Sequence, residues 1–184
     1  MDTKKTLLWI TRTGVLIALL VALQWGLGAL TANNQFVVGS AVNLVLIVAA
    51  VLSGLYSALA VAVVSPFTAF LFGIGTPFFA LVPFIAIGNF VIVLVWYLMV
   101  KKVRTESNAY IRMIAALIVG ALLKFAVLYL TIAQLAVPFI LDVNEKQGAA
   151  LSAVFSWPQL VTAAIGGAIA ILIIPILKKA VSSK

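Results

Sequence analysis

The chain has 184 residues, 65% of them hydrophobic and only 9% charged, with a formal net charge of +8. A water-facing globule carries about 25% charged residues, so this composition excludes a soluble domain and makes lipid the main solvent. The absence of any Cys or His excludes disulfides, thiol nucleophiles, thiolate or imidazole metal sites and every catalytic constellation that needs an imidazole, intramembrane serine–histidine proteases included.

At about 20 residues per helix the length admits roughly five to seven spans, and six apolar runs are legible, at 14–30, 41–55, 56–72, 78–100, 112–135 and 155–177. They predict an all-α membrane protein, one domain over 1–184, built as a six-transmembrane-helix bundle. The first run follows Lys4, Lys5 and Arg12. A basic start, an apolar run and small residues at Ala29 and Ala32 have the outline of a signal peptide. Gln24, Trp25, Gly26 and Gly28 interrupt that apolar core, however, and the run reads as a retained span. Gly14, Ala18, Ala22 and Gly26 recur at every fourth position and so share one stripe. Apolar burial does not drive helices together in lipid; close approach over small residues does. The stripe is therefore either an internal packing seam or a docking face for another membrane protein.

Segment 31–40, with Asn33, Asn34, Gln35 and Gly39, reads as a turn, and the second run carries Asn43. Residues 53–57, Ser-Gly-Leu-Tyr-Ser, read as a very tight turn into the third run. Gly73, Gly75 and Pro77 stop that run, and the fourth carries Asn89. A basic loop, 101–112, leads to the fifth run, which carries Lys124. Segment 137–153, with Pro138, Asp142, Asn144, Glu145, Lys146 and Gly148, reads as a connection. In the last run, Ala163, Gly167 and Ile171 lie beside Thr162, Gly166 and Ala170, a looser small-residue series that fits internal packing.

With the N-terminus placed inside, Lys4, Lys5, Arg12, Lys101, Lys102, Arg104, Arg112, Lys178, Lys179 and Lys184 all fall on the cytoplasmic side, and only Lys146 falls outside. This is the asymmetry the positive-inside rule requires, and it puts both termini on the cytoplasmic side of the membrane. The positive charge is a topology signal against lipid headgroups rather than a nucleic-acid surface.

Lys124 stands twelve residues beyond Arg112, about 18 Å along a helix, and so lies near the midplane. A lysine there costs at least ~2.5 kcal/mol on insertion scales, and none of the apolar runs contains an Asp or Glu. Three accounts stand open: a tolerated neutral lysine, a cage of carbonyls and amides, or an anionic ligand that completes the site. Gln24 and Asn89 reach comparable depth, and a mid-membrane amide must find a partner in protein, water or ligand. Asn43, Tyr129, Trp157 and Gln159 stand nearer the outer face, the aromatics fitting either an interfacial belt or ligand contact. Together these residues predict a polar pocket in the outer half, open to the outside and covered by segment 31–40.

No Walker A sequence is present, so ATP cannot be used by that route. Proton-coupled carriers generally need a membrane carboxylate or His, and the runs are too uniformly apolar for a wide pore. The chain reads as a non-enzymatic substrate-binding membrane subunit that takes its energy from partners and needs no cofactor, with a small stand-alone secondary carrier or pore as the alternative.

The order of several short motifs carries a resemblance: Ala18-Leu19-Leu20-Val21-Ala22 after a basic N-terminus, Val42-Asn43, Pro83-Phe84-Ile85-Ala86-Ile87-Gly88-Asn89, and Trp157-Pro158-Gln159-Leu160 before a Gly-rich last helix. Over essentially its whole length the chain resembles the substrate-binding (S) component of energy-coupling factor (ECF) vitamin transporters. The resemblance implies a six-helix receptor that binds a vitamin or precursor under an extracellular loop. It further implies docking through the Ala18 and Ala22 stripe onto a transmembrane coupling (T) subunit driven by two cytoplasmic ATPases, with toppling in the membrane. Among vitamins, Lys124 favours a small carboxylate and so pantothenate. A neutral hydroxymethylpyrimidine or pyridoxine-like ring, held by Asn89, Gln24 and the aromatics, comes next, and cobalamin stays open. A cationic thiamin finds no acidic residue, and the Gly/Pro-rich signature of biotin receptors is missing.

Overall fold

A computed structural model describes residues 3–100 and 106–182; Lys101, Lys102, Arg104 and Lys184, counted above among the basic residues, lie outside them. Every regular element among the described residues is helical. The first is α1 (Thr3–Leu30), followed by α2 (Gln35–Val48) with a π-helical turn at Ala49–Ser53, and by α3 (Leu55–Leu71). A 3-10 turn, Phe79–Leu81, opens into α4 (Val82–Val100). α5 (Glu106–Leu128) continues through a π-helical stretch, Tyr129–Ala136, into α6 (Val137–Phe139), and α7 (Glu145–Val154) precedes α8 (Trp157–Ser182). Five helical stretches are long and apolar enough to cross a membrane: Thr6–Leu30, Gln35–Ser53, Phe79–Val100, Asn108–Phe139 and Glu145–Ala180. The sixth apolar helix, α3, has 17 residues and is slightly short of the ~20 a straight span takes.

The breaks have local causes. Ala32 and Asn33 adopt φ of 51° and 58° after α1, and Asn34 then caps α2, its side chain accepting from the backbone N–H groups of Phe36 and Val37. Between the π turn and α3 a single residue, Gly54, turns the chain at φ 91°, a conformation that needs no Cβ. The tight turn expected at 53–57 is thus one glycine wide.

Two connections differ from expectation. Segment 31–40 is mostly helix, because the Asn34 cap starts α2 early and leaves only Thr31–Asn34 as loop. Segment 137–153 is not a simple connection either. The fifth rod runs on to Phe139, and Glu145–Val154 forms a helix of its own. Asn144 caps it by accepting from Gln147 N–H at 2.9 Å, and Glu145 complements the positive end of the helix dipole. Residues that resemble turn chemistry in sequence are here capping chemistry.

Small residues set the closest helix crossings. The Trp96 indole is fully buried, and a Cβ placed on Gly120 or Gly167 would stand 3.4 or 3.3 Å from it. Between α2 and α8 the backbones nearly touch: a Cβ on Gly166 would lie 2.7 Å from both the Asn43 Cβ and the Ser40 carbonyl oxygen. Large apolar side chains such as Val15, Trp25, Leu122, Leu172 and Ile176 cover the outside, which lipid tolerates and water does not. Gly166→Ala is expected to force α2 from α8 and lower stability by about 1–3 kcal/mol, seen as a reduced Tm in detergent. Gly167→Ala serves as the control. Its nearest neighbour is the movable Leu117 side chain at 3.1 Å, and its Tm should fall much less.

Candidate functional site

The 31–34, 73–77 and 140–156 connections lie at one end of the bundle, where Asn33, Gly75, Pro77, Leu151 and Phe155 line a cavity of about 340 Å³. The basic residues Arg12, Arg112, Lys178 and Lys179 belong to the other end, at the start of α1 and α5 and the end of α8. The walls are mostly apolar, from Val38 and Val42 on α2, Ala69 and Phe70 on α3, Ile74, and Ile85 on α4. Leu151, Val154 and Phe155 close over it from α7 and the residue that follows. At the rim, the Gln35 and Gln159 amides both donate to the Val154 carbonyl, at 2.9 and 3.2 Å. That arrangement ties the start of α2 to the end of α7.

Lys124 lies at the cavity's inner end and is only 3% exposed. Its Nζ donates to Asn43 Oδ1 at 2.6 Å and to Asn89 Oδ1 at 2.8 Å, which joins α5, α2 and α4. An ammonium can only donate, so both amides must turn their oxygens toward it. Their nitrogens are thereby directed elsewhere: Asn43 Nδ2 donates to Thr162 Oγ1 on α8, and Asn89 Nδ2 to the Ala62 carbonyl on α3, each at 3.4 Å. Of the three accounts of Lys124, the amide cage is present. No carboxylate accepts from the lysine among the described residues, and the acidic residues Asp2, Glu106, Asp142 and Glu145 all lie outside the apolar runs of the sequence.

Donor accounting gives this floor a sign. The ammonium has a third N–H, and each side-chain amide nitrogen carries a second one. None of these has an acceptor among the described residues, while each amide oxygen has given one of its two lone pairs to the lysine. The floor thus has more free N–H donors than free acceptors.

The other sequence-selected residues divide. Gln24 lines the cavity but in a separate cluster, donating to the Ser65 carbonyl at 3.1 Å and to Ser65 Oγ at 3.2 Å. Its own oxygen accepts from Thr68 Oγ1 at 3.0 Å. Gln159 stands at the rim. Tyr129 and Trp157 are not on the cavity wall. Five residues at about 100° each carry Tyr129 roughly 140° round the helix from Lys124, where it stacks on Phe125 with ring centroids 5.8 Å apart. Trp157 is 60% exposed, with its ring centroid 5.8 Å from that of Phe36. Sequence reasoning missed Ser65, Thr162 and Phe155, since a single hydroxyl or Phe in an apolar helix has no distinguishing pattern. The pairing of Ser65 with an in-helix Pro66 is the one signal it could have used.

Gly14, Ala18 and Ala22 are exposed and Gly26 is half-buried on the outward face of α1. A Cβ on Gly14 or Gly26 would meet nothing within 4 Å. The inward face holds Thr13, Leu20 and Gln24, with Thr13 Oγ1 bonded to Ser57 Oγ at 2.9 Å. The small-residue stripe therefore makes no internal seam in this bundle.

No curated protein and no solved structure matches the chain. A family model described as "ECF transporter, substrate-specific component" matches residues 9–178. Helices fit for a membrane, a mostly apolar cavity with a polar floor between them and a match over nearly the whole length agree, and the chain belongs to the family of ECF transporter substrate-specific components.

Proposed function

We propose that this membrane substrate-binding subunit captures a small carboxylate vitamin or precursor, pantothenate first, from outside the cell. In this reading all six apolar helices span the bacterial cytoplasmic membrane with both termini inside, as the basic residues favour. The cavity mouth, at the end remote from those residues, then faces outward. The loaded subunit is delivered by toppling against the T subunit, and two cytoplasmic ATPases supply the energy.

One observation carries the choice of ligand: Lys124 lies at the inner end of the cavity, held by two amide oxygens and by no carboxylate. A carboxylate entering the cavity would supply the missing charge and accept the spare N–H groups of Lys124, Asn43 and Asn89, while its apolar portion packs on Val42, Phe70 and Ile85. Charge-assisted bonds of this kind are about twice as strong as neutral ones. The volume of about 340 Å³ sits at the small end of the ~300–1,000 Å³ typical of ligand sites, which suits pantothenate and falls well short of a corrinoid such as cobalamin.

The test is a calorimetric titration of the detergent-purified protein with pantothenate, with hydroxymethylpyrimidine as comparator. One-to-one binding of pantothenate is expected. Binding of the pyrimidine alone would move the recognition from Lys124 to the neutral amides, Gln24 and Asn89.

A further inference from the structure

The α3 helix carries a proline, Pro66, in its interior and facing the cavity. Proline has no backbone N–H, so the carbonyl four residues earlier loses its helical donor. That carbonyl belongs to Ala62, and it is the one that accepts from Asn89 Nδ2. Ala62, Pro66 and Asn89 are all buried, so the carbonyl has little access to bulk water. A buried polar group without a partner is costly, and here a single long bond of 3.4 Å serves both sides.

We propose that Pro66 is a positioning residue of the binding site. By leaving Ala62 O open it anchors the nitrogen end of the Asn89 amide, and this fixes Asn89 Oδ1 toward Lys124. The inference rests on the reading of Lys124 and its two amides as the floor of the ligand site. It accounts for a proline in a helix interior, where the ring removes one backbone hydrogen bond. The same turn is used from the other side by Gln24, whose amide donates to the Ser65 carbonyl. Two neighbouring helices thus bind side-chain amides to the carbonyls around one proline. Any other residue at 66 restores the N–H, which bonds Ala62 O along the helix axis. The carbonyl then tilts back into the helix, and a contact already at 3.4 Å passes out of range.

Two variants separate the restored N–H from lost bulk: Pro66→Ala, which is smaller, and Pro66→Val, which keeps most of the volume. Both repair a helical bond and should fold. In full-length protein carrying nitrogen-labelled asparagine, the side-chain amide resonance of Asn89, assigned with Asn89→Ala, is expected to move in both variants. Those of the remote loop residues Asn34 and Asn144 should stay fixed. In calorimetry, pantothenate affinity should fall about tenfold in either variant. Adding Pro66→Ala to Asn89→Ala should cost nothing further, since residues acting through one contact are not additive. An unmoved Asn89 resonance in both variants overturns the proposal, and so does a full additional loss in the Asn89→Ala background. Failure of the wild-type protein to bind pantothenate overturns the ligand reading instead. The resonance, which needs no ligand, then decides on Pro66 by itself.

Discussion

Lys124→Ala is expected to weaken pantothenate binding on the order of 100-fold or more, because it removes the only cation among the described residues that line the cavity and leaves a desolvated carboxylate unpaired. The matched comparator is pantothenol, in which an alcohol replaces the carboxylate. Its affinity depends on the apolar walls and the amides, so the variant should bind it within a few-fold of the wild type. The ratio of the two affinities, read by calorimetry, is the diagnostic quantity. An unchanged ratio would mean that Lys124 serves the helix packing alone, through its bonds to Asn43 and Asn89. Lys124→Arg is not a conservative rescue, because the planar guanidinium cannot repeat the two short bonds of a compact ammonium. It should recover little of the lost affinity.

Replacing Ala18 and Ala22 together with Trp is expected to reduce uptake in cells at least about tenfold while leaving ligand binding by the purified subunit unchanged. Both alanines lie on the outer face of α1, away from the cavity. Close approach over small residues is the attraction available to helices in lipid, and two indoles would hold a partner helix away. Co-purification of the T subunit should fall in parallel with uptake. Uptake that persists in cells lacking the T subunit and the ATPases would instead fit a stand-alone carrier. Belonging to the substrate-specific components of ECF transporters makes the first outcome the expected one.

Several features were legible because they depend on the solvent or on short-range geometry. Membrane residence follows from composition alone, since 9% charged residues cannot coat a surface in water. The break at 53–57 was visible from Gly54, whose positive φ of 91° only a residue without a Cβ adopts freely. Lys124, Asn89 and Gln24 stood out because polar groups at that depth must be satisfied. The helical segment Glu145–Val154 was missed for the converse reason: Asn, Glu and Gly occur both in turns and at helix starts, and only the partner of the Asn144 side chain separates the two.

The sequence by itself determined that this chain lives in lipid, roughly where its apolar helices run, and which polar residues need an explanation. It also marked a small-residue stripe on α1 without revealing which way the stripe faces. Only the tertiary structure decided that Lys124 meets Asn43 and Asn89 while Gln24 forms a separate cluster with Ser65 and Thr68, and that the stripe points outward. The physical reason is angular. Depth along a helix follows from counting at about 1.5 Å per residue, but which neighbour a side chain reaches depends on how each helix is rotated about its axis. In an almost wholly apolar bundle, sequence periodicity barely constrains that rotation. It is set where backbones touch, as at Gly166 against Ser40 and Asn43.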